Sequence, residues 1–216
     1  MISRRYAFVY VHYPKTGGNT IQTLLLPFSD DRKVTIAHQD GADRFGVVGP
    51  ETPEKHAPLQ AYADRLGGEL ERFQIATSVR HPFERFVSAY FSPHKWMREI
   101  SPGRWAASEP YWDESLMTTL LHTGMHRPLT HYLACGGVIV RPQILVRYES
   151  FAQDLRRMIA TLKVPLAADV ALPIVNASLA SHELRAKILA SVELKRRIED
   201  FYRSDMDYFS YASYAA

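Results

Sequence analysis

The hydrophobic pattern of the chain alternates between short apolar runs and longer amphipathic segments. The first run, residues 6–12, is aromatic and β-branched almost throughout, which is typical of a strand buried on both faces of a parallel sheet. Similar runs predict strands over residues 33–37, 73–79 and 143–148. Because helical patterns follow these runs, the sequence predicts an α/β fold with a central parallel sheet flanked by helices.

Apolar residues spaced three or four apart predict the helices. The predicted helices cover residues 19–26, 58–66, 82–91, 114–122 and 150–162, with one or two more between residues 182 and 209. Ser181 is a suitable N-cap for the first of these last helices, and Glu183 would lie in its first turn.

One long stretch shows no sustained period. Residues 92–113 hold three Trp and three Pro, and we interpret the region from 92 to about 128 as an irregular excursion. Long excursions of this kind often form binding sites, so we expect this one to contribute to a ligand site.

Length and composition favour one globular domain over residues 1–216, because a chain with 46% hydrophobic residues can bury a sizeable core. The net charge of +3 is too small an excess to indicate nucleic-acid binding, although a local anion site would explain it. Cys135, the single cysteine, cannot form an intramolecular disulfide. The N-terminus lacks the apolar region of a signal peptide, and no run reaches the roughly 20 apolar residues of a membrane span. We therefore expect a cytoplasmic protein without a membrane span.

A glycine-rich segment follows the first predicted strand. It reads Pro14-Lys15-Thr16-Gly17-Gly18-Asn19-Thr20. Two glycines let the backbone approach an anion, and the helix that follows points its N–H groups and positive dipole end toward it. Lys15 adds a full charge, while the side chains of Thr16, Asn19 and Thr20 can hydrogen-bond to anion oxygens. The order differs from a Walker A motif, in which the lysine follows the last glycine. The segment therefore predicts an anion-binding loop unlike that of P-loop kinases.

A second segment follows the strand predicted over residues 73–79. Arg80 would lie at the end of that strand, where ligands of open α/β sheets bind, and Pro82 would open the next helix. A guanidinium together with the hydroxyl of Ser88 is well suited to a phosphate monoester. Arg85 belongs either to this site or to the structure of the amphipathic helix, as an ion-pair partner or a residue that supports the site from behind.

Both segments resemble motifs of the sulfotransferases that use 3′-phosphoadenosine 5′-phosphosulfate (PAPS), in particular the bacterial and carbohydrate-type branch. Residues 12–20 resemble the 5′-phosphosulfate loop, whose usual form is Pro-Lys-Thr-Gly-Gly-Thr-Thr. Asn19 departs from that form, but it also donates and accepts hydrogen bonds. The family's 3′-phosphate motif, Arg-x-Pro-x-x-Arg-x-x-Ser-x-Tyr, is matched without a gap at Arg80, Pro82, Arg85, Ser88 and Tyr90.

The resemblance implies a P-loop-like nucleotide fold and assigns donor-binding roles. Lys15, Thr16, Gly17, Gly18, Asn19 and Thr20 would hold the phosphosulfate of PAPS, and Arg80 and Ser88 would hold its 3′-phosphate. Looser matches occur at residues 147–149, at residues 175–178 and around Tyr202 and Asp205, where the alternative is structural packing.

The reaction needs positive charge on the leaving oxygen and a base for the acceptor proton. Lys15 suits the first role. For the second we favour His56, which precedes a predicted helix, titrates near neutrality and resembles the base of several relatives. His38 and Glu54 are the alternatives. No cluster of residues has metal-ligand spacing, so we expect in-line sulfuryl transfer without a required metal.

The resemblance implies that the acceptor is a hydroxyl or amine on a small molecule, glycan or lipid. Aromatic residues of the excursion either stack on a sugar ring, line a lipid-like cavity or form a small core of their own; they are Trp96, Trp105, Tyr111 and Trp112. The family branch favours a carbohydrate. Two rival functions are a nucleotide or adenylyl-sulfate kinase, which would need a Walker A lysine and a Mg²⁺ carboxylate, and a non-catalytic module that binds PAPS.

Overall fold

The apolar run near the N-terminus forms an inner strand of a four-stranded sheet in the computed structural model. The structure describes residues 1–36, 40, 44–123, 126–167, 170–172 and 182–216. Its strands are β1 (Ile2–Ser3), β2 (Phe8–Val11), β3 (Arg32–Thr35), β4 (Phe45–Val48), β5 (Gln74–Val79), β6 (Met97–Ser101), β7 (Arg104–Ala107), β8 (Ala134–Cys135), β9 (Val138–Ile139) and β10 (Ile144–Arg147).

The main sheet has the order β1-β2-β5-β10. Strands β2, β5 and β10 are parallel, with Val11 opposite Thr77 and Arg147 opposite Val79, whereas β1 is an antiparallel edge strand. Every residue of β2 is buried, as expected for a strand covered on both faces. These strands confirm the prediction of an α/β fold with a parallel sheet flanked by helices.

The helices follow the predicted pattern closely. They are α1 (Gly18–Leu25), α2 (Leu59–Leu66), α3 (Pro82–Tyr90), α4 (Pro93–Trp96), α5 (Glu114–Leu121), α6 (Leu129–Tyr132), α7 (Phe151–Leu162), α8 (His182–Ala190), α9 (Val192–Phe201) and α10 (Arg203–Tyr208). The C-terminal region therefore holds three described helices rather than one or two. Ser191 caps α9 through the N–H of Leu194 and divides it from α8, and Tyr202 lies between α9 and α10. Ser181 lies outside the described residues.

The strand predicted over residues 33–37 does not join the parallel sheet. Strand β3 instead pairs antiparallel with β4 in a separate two-stranded ribbon. Arg32, Lys33 and Thr35 are exposed, so this strand cannot occupy a sheet that is buried on both faces.

The stretch from residue 92 to 113 is more regular than predicted. It contains the short helix α4 and the hairpin of β6 and β7, which turns at Gly103 with a φ of 72°. The Pro102-Gly103 pair is a turn signal of the kind that hairpins require.

The residues group into two compact units. The sheet unit comprises Met1–Ile36, Phe45–Arg80 and Leu129–Val175. Its core joins β2, β5 and β10 to the apolar face of α7, where Leu155, Met158 and Ile159 are buried.

The helical unit comprises Ala37–Arg44, His81–Pro128 and Asn176–Ala216. Its core is formed by α3 and α9, with Phe86, Tyr90, Ile198 and Tyr202 among its buried residues. The single domain over residues 1–216 stays a prediction. Within the described ranges, no helix combines the length and apolar character that crossing a bilayer requires.

Candidate active site

The loop between β2 and α1 requires glycine at two positions, one for its backbone conformation and one for lack of space. Gly17 caps α1 with a left-handed φ of 85°, and a Cβ there would lie 2.5 Å from Cε2 of Phe151. A Cβ on Gly18 would lie 2.1 Å from Cδ2 of His12. Lys15 also has a positive φ, 69°, which costs a non-glycine residue about 1 kcal/mol. Such backbone strain is concentrated at functional loops.

The N-terminus of α1 is open to an anion. Its cap makes no side-chain hydrogen bond, and its first turn holds no acidic residue. The N–H groups of Thr20 and Ile21 bond back to the Gly17 carbonyl, at 3.1 and 3.4 Å. The N–H groups of Gly18 and Asn19 come earlier in the first turn, where N–H groups have no partner within the helix. Such groups, together with the helix dipole, bind anions.

A chain of buried hydroxyl groups holds this loop to the sheet. Thr16 Oγ1 donates to the Tyr13 carbonyl at 2.7 Å and also lies 2.7 Å from Ser78 Oγ. Since a hydroxyl has one proton, Ser78 must donate to Thr16, and Tyr10, 2.7 Å from Ser78, must donate to Ser78. The single proton of the Thr16 hydroxyl is thus used inside the protein, and the predicted contact of Thr16 with the donor stays a prediction.

Two histidines lie beside the loop. His56 Nδ1 donates to the His12 carbonyl at 3.1 Å, and the two ring centroids are 4.3 Å apart. His12, which is buried, donates from Nδ1 to Gln22 Oε1 at 2.8 Å. The Nδ1 bond of His56 leaves its Nε2 as the nitrogen with a free lone pair. This is the arrangement that a general base needs.

Burial and nearby lysines keep both rings neutral. Burial lowers the pKa of His56 to about 4, and the charges of Lys55 and Lys15 contribute to the lowering. Burial is also the main reason that the pKa of His12 lies well below its ordinary value. Both side chains are therefore uncharged at neutral pH. His56 titrates below the near-neutral range expected from the sequence, because it is buried beside two lysines, and its neutral ring can accept a proton.

Lys55 lies next to His56 in the chain, and Glu54 and His38 are the alternative bases. Lys55 Nζ donates to the Phe45 carbonyl at 3.1 Å and lies 3.4 Å from the Phe45 ring centroid. Glu54, the alternative base, is exposed. His38, the other alternative, lies outside the described residues.

Arg80 lies at the carboxyl end of β5, at the same edge of the parallel sheet as the glycine-rich loop. Its guanidinium carbon is 4.1 Å from the ring centroid of Tyr148, which directly follows β10. This edge is where open α/β sheets bind ligands. Ser88 is a buried residue of α3 in the helical unit.

The remaining arginine of the second motif is part of the packing of the helical unit. Arg85 has no solvent exposure, its guanidinium carbon lies 4.6 Å from the ring centroid of Tyr202, and Nη2 donates to the His126 carbonyl at 3.4 Å. Tyr202 and Asp205 are both buried. Residues 175–178 lie outside the described residues.

Among the residues that the structure describes, no three His, Cys, Asp or Glu side chains form a group that could hold a metal ion. The reaction without a required metal stays a prediction.

Similarity to a known protein family extends over almost the whole chain. The model of the sulfotransferase family matches residues 1–212, which include both motifs. The chain belongs to the sulfotransferase family. No curated protein and no solved structure matched it. In this sulfotransferase, the sequence prediction overlooked His12, Gln22 and Ser78 as supports of the site. A signal for His12 exists in the sequence, since a polar residue there ends the apolar run immediately before the loop.

Proposed function

We propose that this sulfotransferase transfers the sulfuryl group of PAPS to an acceptor hydroxyl or amine. The observation that carries the proposal is the loop of Lys15 to Thr20, strained at Lys15, set against the open N-terminus of α1 and close to the neutral ring of His56. The loop has the form of an anion site, and His56 provides a base. We also propose that the loop of Lys15 to Thr20 holds the phosphosulfate of the nucleotide in the manner of a P-loop.

In the proposed reaction, the acceptor oxygen forms a bond to sulfur while the bond from sulfur to the phosphate oxygen of PAPS breaks. The ammonium of Lys15 and the N–H groups of Gly18 and Asn19 stabilise the charge on the leaving phosphate. His56 Nε2 takes the acceptor proton, and its Nδ1 bond to the His12 carbonyl stabilises the imidazolium. The products are the sulfated acceptor and 3′-phosphoadenosine 5′-phosphate.

Binding of the anionic donor helps the base. Part of the lowering of the His56 pKa comes from the charge of Lys15. An anion held by Lys15 offsets that charge, so the pKa of His56 rises when the donor is bound, while burial, the main cause of the lowering, remains.

Arg80 and Ser88 are assigned to the 3′-phosphate. The assignment is supported by the position of Arg80 at a strand end and by the gapless match of the second motif. For the acceptor, the motif resemblance favours a carbohydrate over a phenol, steroid or lipid.

Radiolabelled sulfate transfer from PAPS to pools of glycan, phenol, steroid and lipid acceptors tests the activity. Lys15→Ala is expected to lower turnover by about 10²–10³ and to weaken binding of 3′-phosphoadenosine 5′-phosphate. His56→Ala is expected to lower turnover by about 10²–10⁴ while leaving that binding nearly intact. Lys187→Ala and His182→Ala alter exposed residues of α8 and serve as matched controls.

Other results would contradict parts of the proposal. If His56→Ala keeps full activity and Glu54→Ala loses it, the base is the carboxylate. If the protein transfers phosphate from Mg²⁺-ATP and not sulfate from PAPS, it is a nucleotide kinase. Donor binding without transfer to any acceptor would indicate a non-catalytic module.

The role of Arg80 has a separate binding test. The unmodified protein is expected to prefer 3′-phosphoadenosine 5′-phosphate over 5′-AMP by about 1.5–3 kcal/mol in calorimetry, the usual value of hydrogen bonds to a charged group. Arg80→Ala is expected to abolish the preference. Equal affinity of the unmodified protein for both nucleotides would refute the assignment of Arg80 and Ser88.

A further inference from the structure

The helical unit contains a cavity of its own. It has a volume of about 320 Å³, within the range of small-molecule sites. Three aromatic residues, two leucines and one lysine line it; they are Tyr90, Lys95, Trp96, Tyr111, Leu116 and Leu120. No residue assigned above to the donor or to catalysis lines this cavity.

The polar groups of its buried aromatic walls are already bonded within the protein. The Tyr90 hydroxyl donates to the Tyr111 carbonyl at 3.1 Å and accepts from the Asp113 N–H at 3.0 Å. Trp96 Nε1 donates to the Tyr90 carbonyl at 3.0 Å. These two walls therefore offer ring faces to a ligand and no spare hydrogen-bond donor. An apolar body fits such walls better than a sugar ring, whose several hydroxyl groups would each need a partner.

Lys95 is the charged residue of the lining. Its ammonium makes no ion pair with any described residue. Lys95 is an exposed residue, and partial loss of hydration lowers its pKa to about 8, without an opposing effect from any described carboxylate. A cation beside apolar walls, with no carboxylate among the described residues to neutralise it, favours an anionic ligand group and disfavours a cationic one.

We propose that this cavity binds a small amphipathic anion, with the apolar body against Trp96, Leu116 and Leu120 and the anionic group at Lys95. The proposal does not depend on sulfuryl transfer, because binding is measured without a donor.

Calorimetry with two probes of nearly the same shape tests it. The unmodified protein is expected to bind 2-naphthoate at least about tenfold more tightly than the neutral 2-naphthamide, which corresponds to about 1.4 kcal/mol. Lys95→Met is expected to remove this preference and Lys95→Arg to keep it. Lys187→Met, which removes an exposed charge from α8, is the control that leaves it unchanged.

A second variant tests the location. Leu120→Trp fills the cavity and is expected to weaken binding of both probes at least about tenfold, with thermal unfolding used to show that the variant is folded. Four results would overturn the proposal: no binding of 2-naphthoate up to millimolar concentration, equal affinity for the two probes, an unchanged preference in Lys95→Met, or unchanged affinity in a folded Leu120→Trp variant.

Discussion

Gly18→Ala puts a methyl group where the structure has the ring of His12. The added Cβ would lie 2.1 Å from Cδ2 and 2.2 Å from Nε2 of that ring. Ordinary contact begins at 3.4 Å, so the ring would have to move by about 1.3 Å, the difference between 3.4 and 2.1 Å. The ring is not free to do so, because it is buried, bonded to Gln22 at 2.8 Å and packed against His56.

Two effects of this substitution oppose each other. Overpacking a well-packed site costs about 1–3 kcal/mol, whereas replacing a helical glycine by alanine gains about 0.5–1 kcal/mol. The steric cost exceeds the gain in helix stability. Gly18→Ala is therefore expected to lower the free energy of unfolding by about 1–2 kcal/mol.

Urea unfolding of a double-mutant cycle measures the steric cost directly. In a His12→Ala background the ring is absent, so Gly18→Ala should be neutral or stabilising by up to about 1 kcal/mol, and the coupling energy should be about 1–3 kcal/mol. Gly68→Ala is the matched control, since no atom lies within 4 Å of its added Cβ, and it should change stability by no more than about 0.5 kcal/mol. An equal cost of Gly18→Ala in both backgrounds would refute the steric explanation.

Two further predictions concern pH and the hydroxyl chain. The pKa values of His12 and His56 lie below the 6.5 of an unperturbed histidine, so on acidification the unfolded chain takes up protons before the folded protein does. Their contribution to stability is therefore fully present above about pH 6.5 and is lost as the pH falls toward 4. Glutamine cannot titrate, so in urea unfolding His56→Gln should lose about 1–2 kcal/mol less unfolding free energy between pH 7 and pH 5 than the unmodified protein. This figure allows for the partial exposure of the ring. An equal loss in both proteins would contradict the prediction. Ser78→Ala should lower the free energy of unfolding by about 1–3 kcal/mol, because it removes the acceptor of the buried Tyr10 hydroxyl and the donor to Thr16. A loss below about 0.5 kcal/mol, the size of an ordinary surface substitution, would show that the hydroxyl chain contributes little.

Much of the fold was predictable because its signals are local. The strands at residues 8–11, 74–79 and 144–147 are apolar runs between turn residues, and the observed bounds fall within the predicted ones. Helix α7 is 12 residues long and has a clear apolar face, and its predicted start differs from the observed one by one residue. Pairing of strands is not local, however. The polar residues of β3 argue against a sheet buried on both faces, but nothing in its sequence specifies that its partner is β4.

The candidate site was predictable only in part for the same reason. Lys15 and the two glycines that follow it form a contiguous motif, so their local arrangement can be inferred from spacing. The support of the loop comes from Ser78 and Phe151, which are 62 residues or more from the loop residues they contact and carry no pattern that points to it. The tautomer of His56 likewise depends on the carbonyl of a distant residue, His12, and no sequence pattern specifies it.

The hydroxyl chain from Tyr10 through Ser78 to Thr16 has a thermodynamic consequence for ligand binding. Its bonds form when the sheet unit folds, so the conformational entropy of ordering the loop, including the left-handed backbone at Lys15, is lost during folding and not when an anion arrives. Such preorganisation raises affinity without adding a contact to the ligand. A variant that breaks the chain yet remains folded would then bind its anion with a less favourable entropy, although every group that touches the anion is still present.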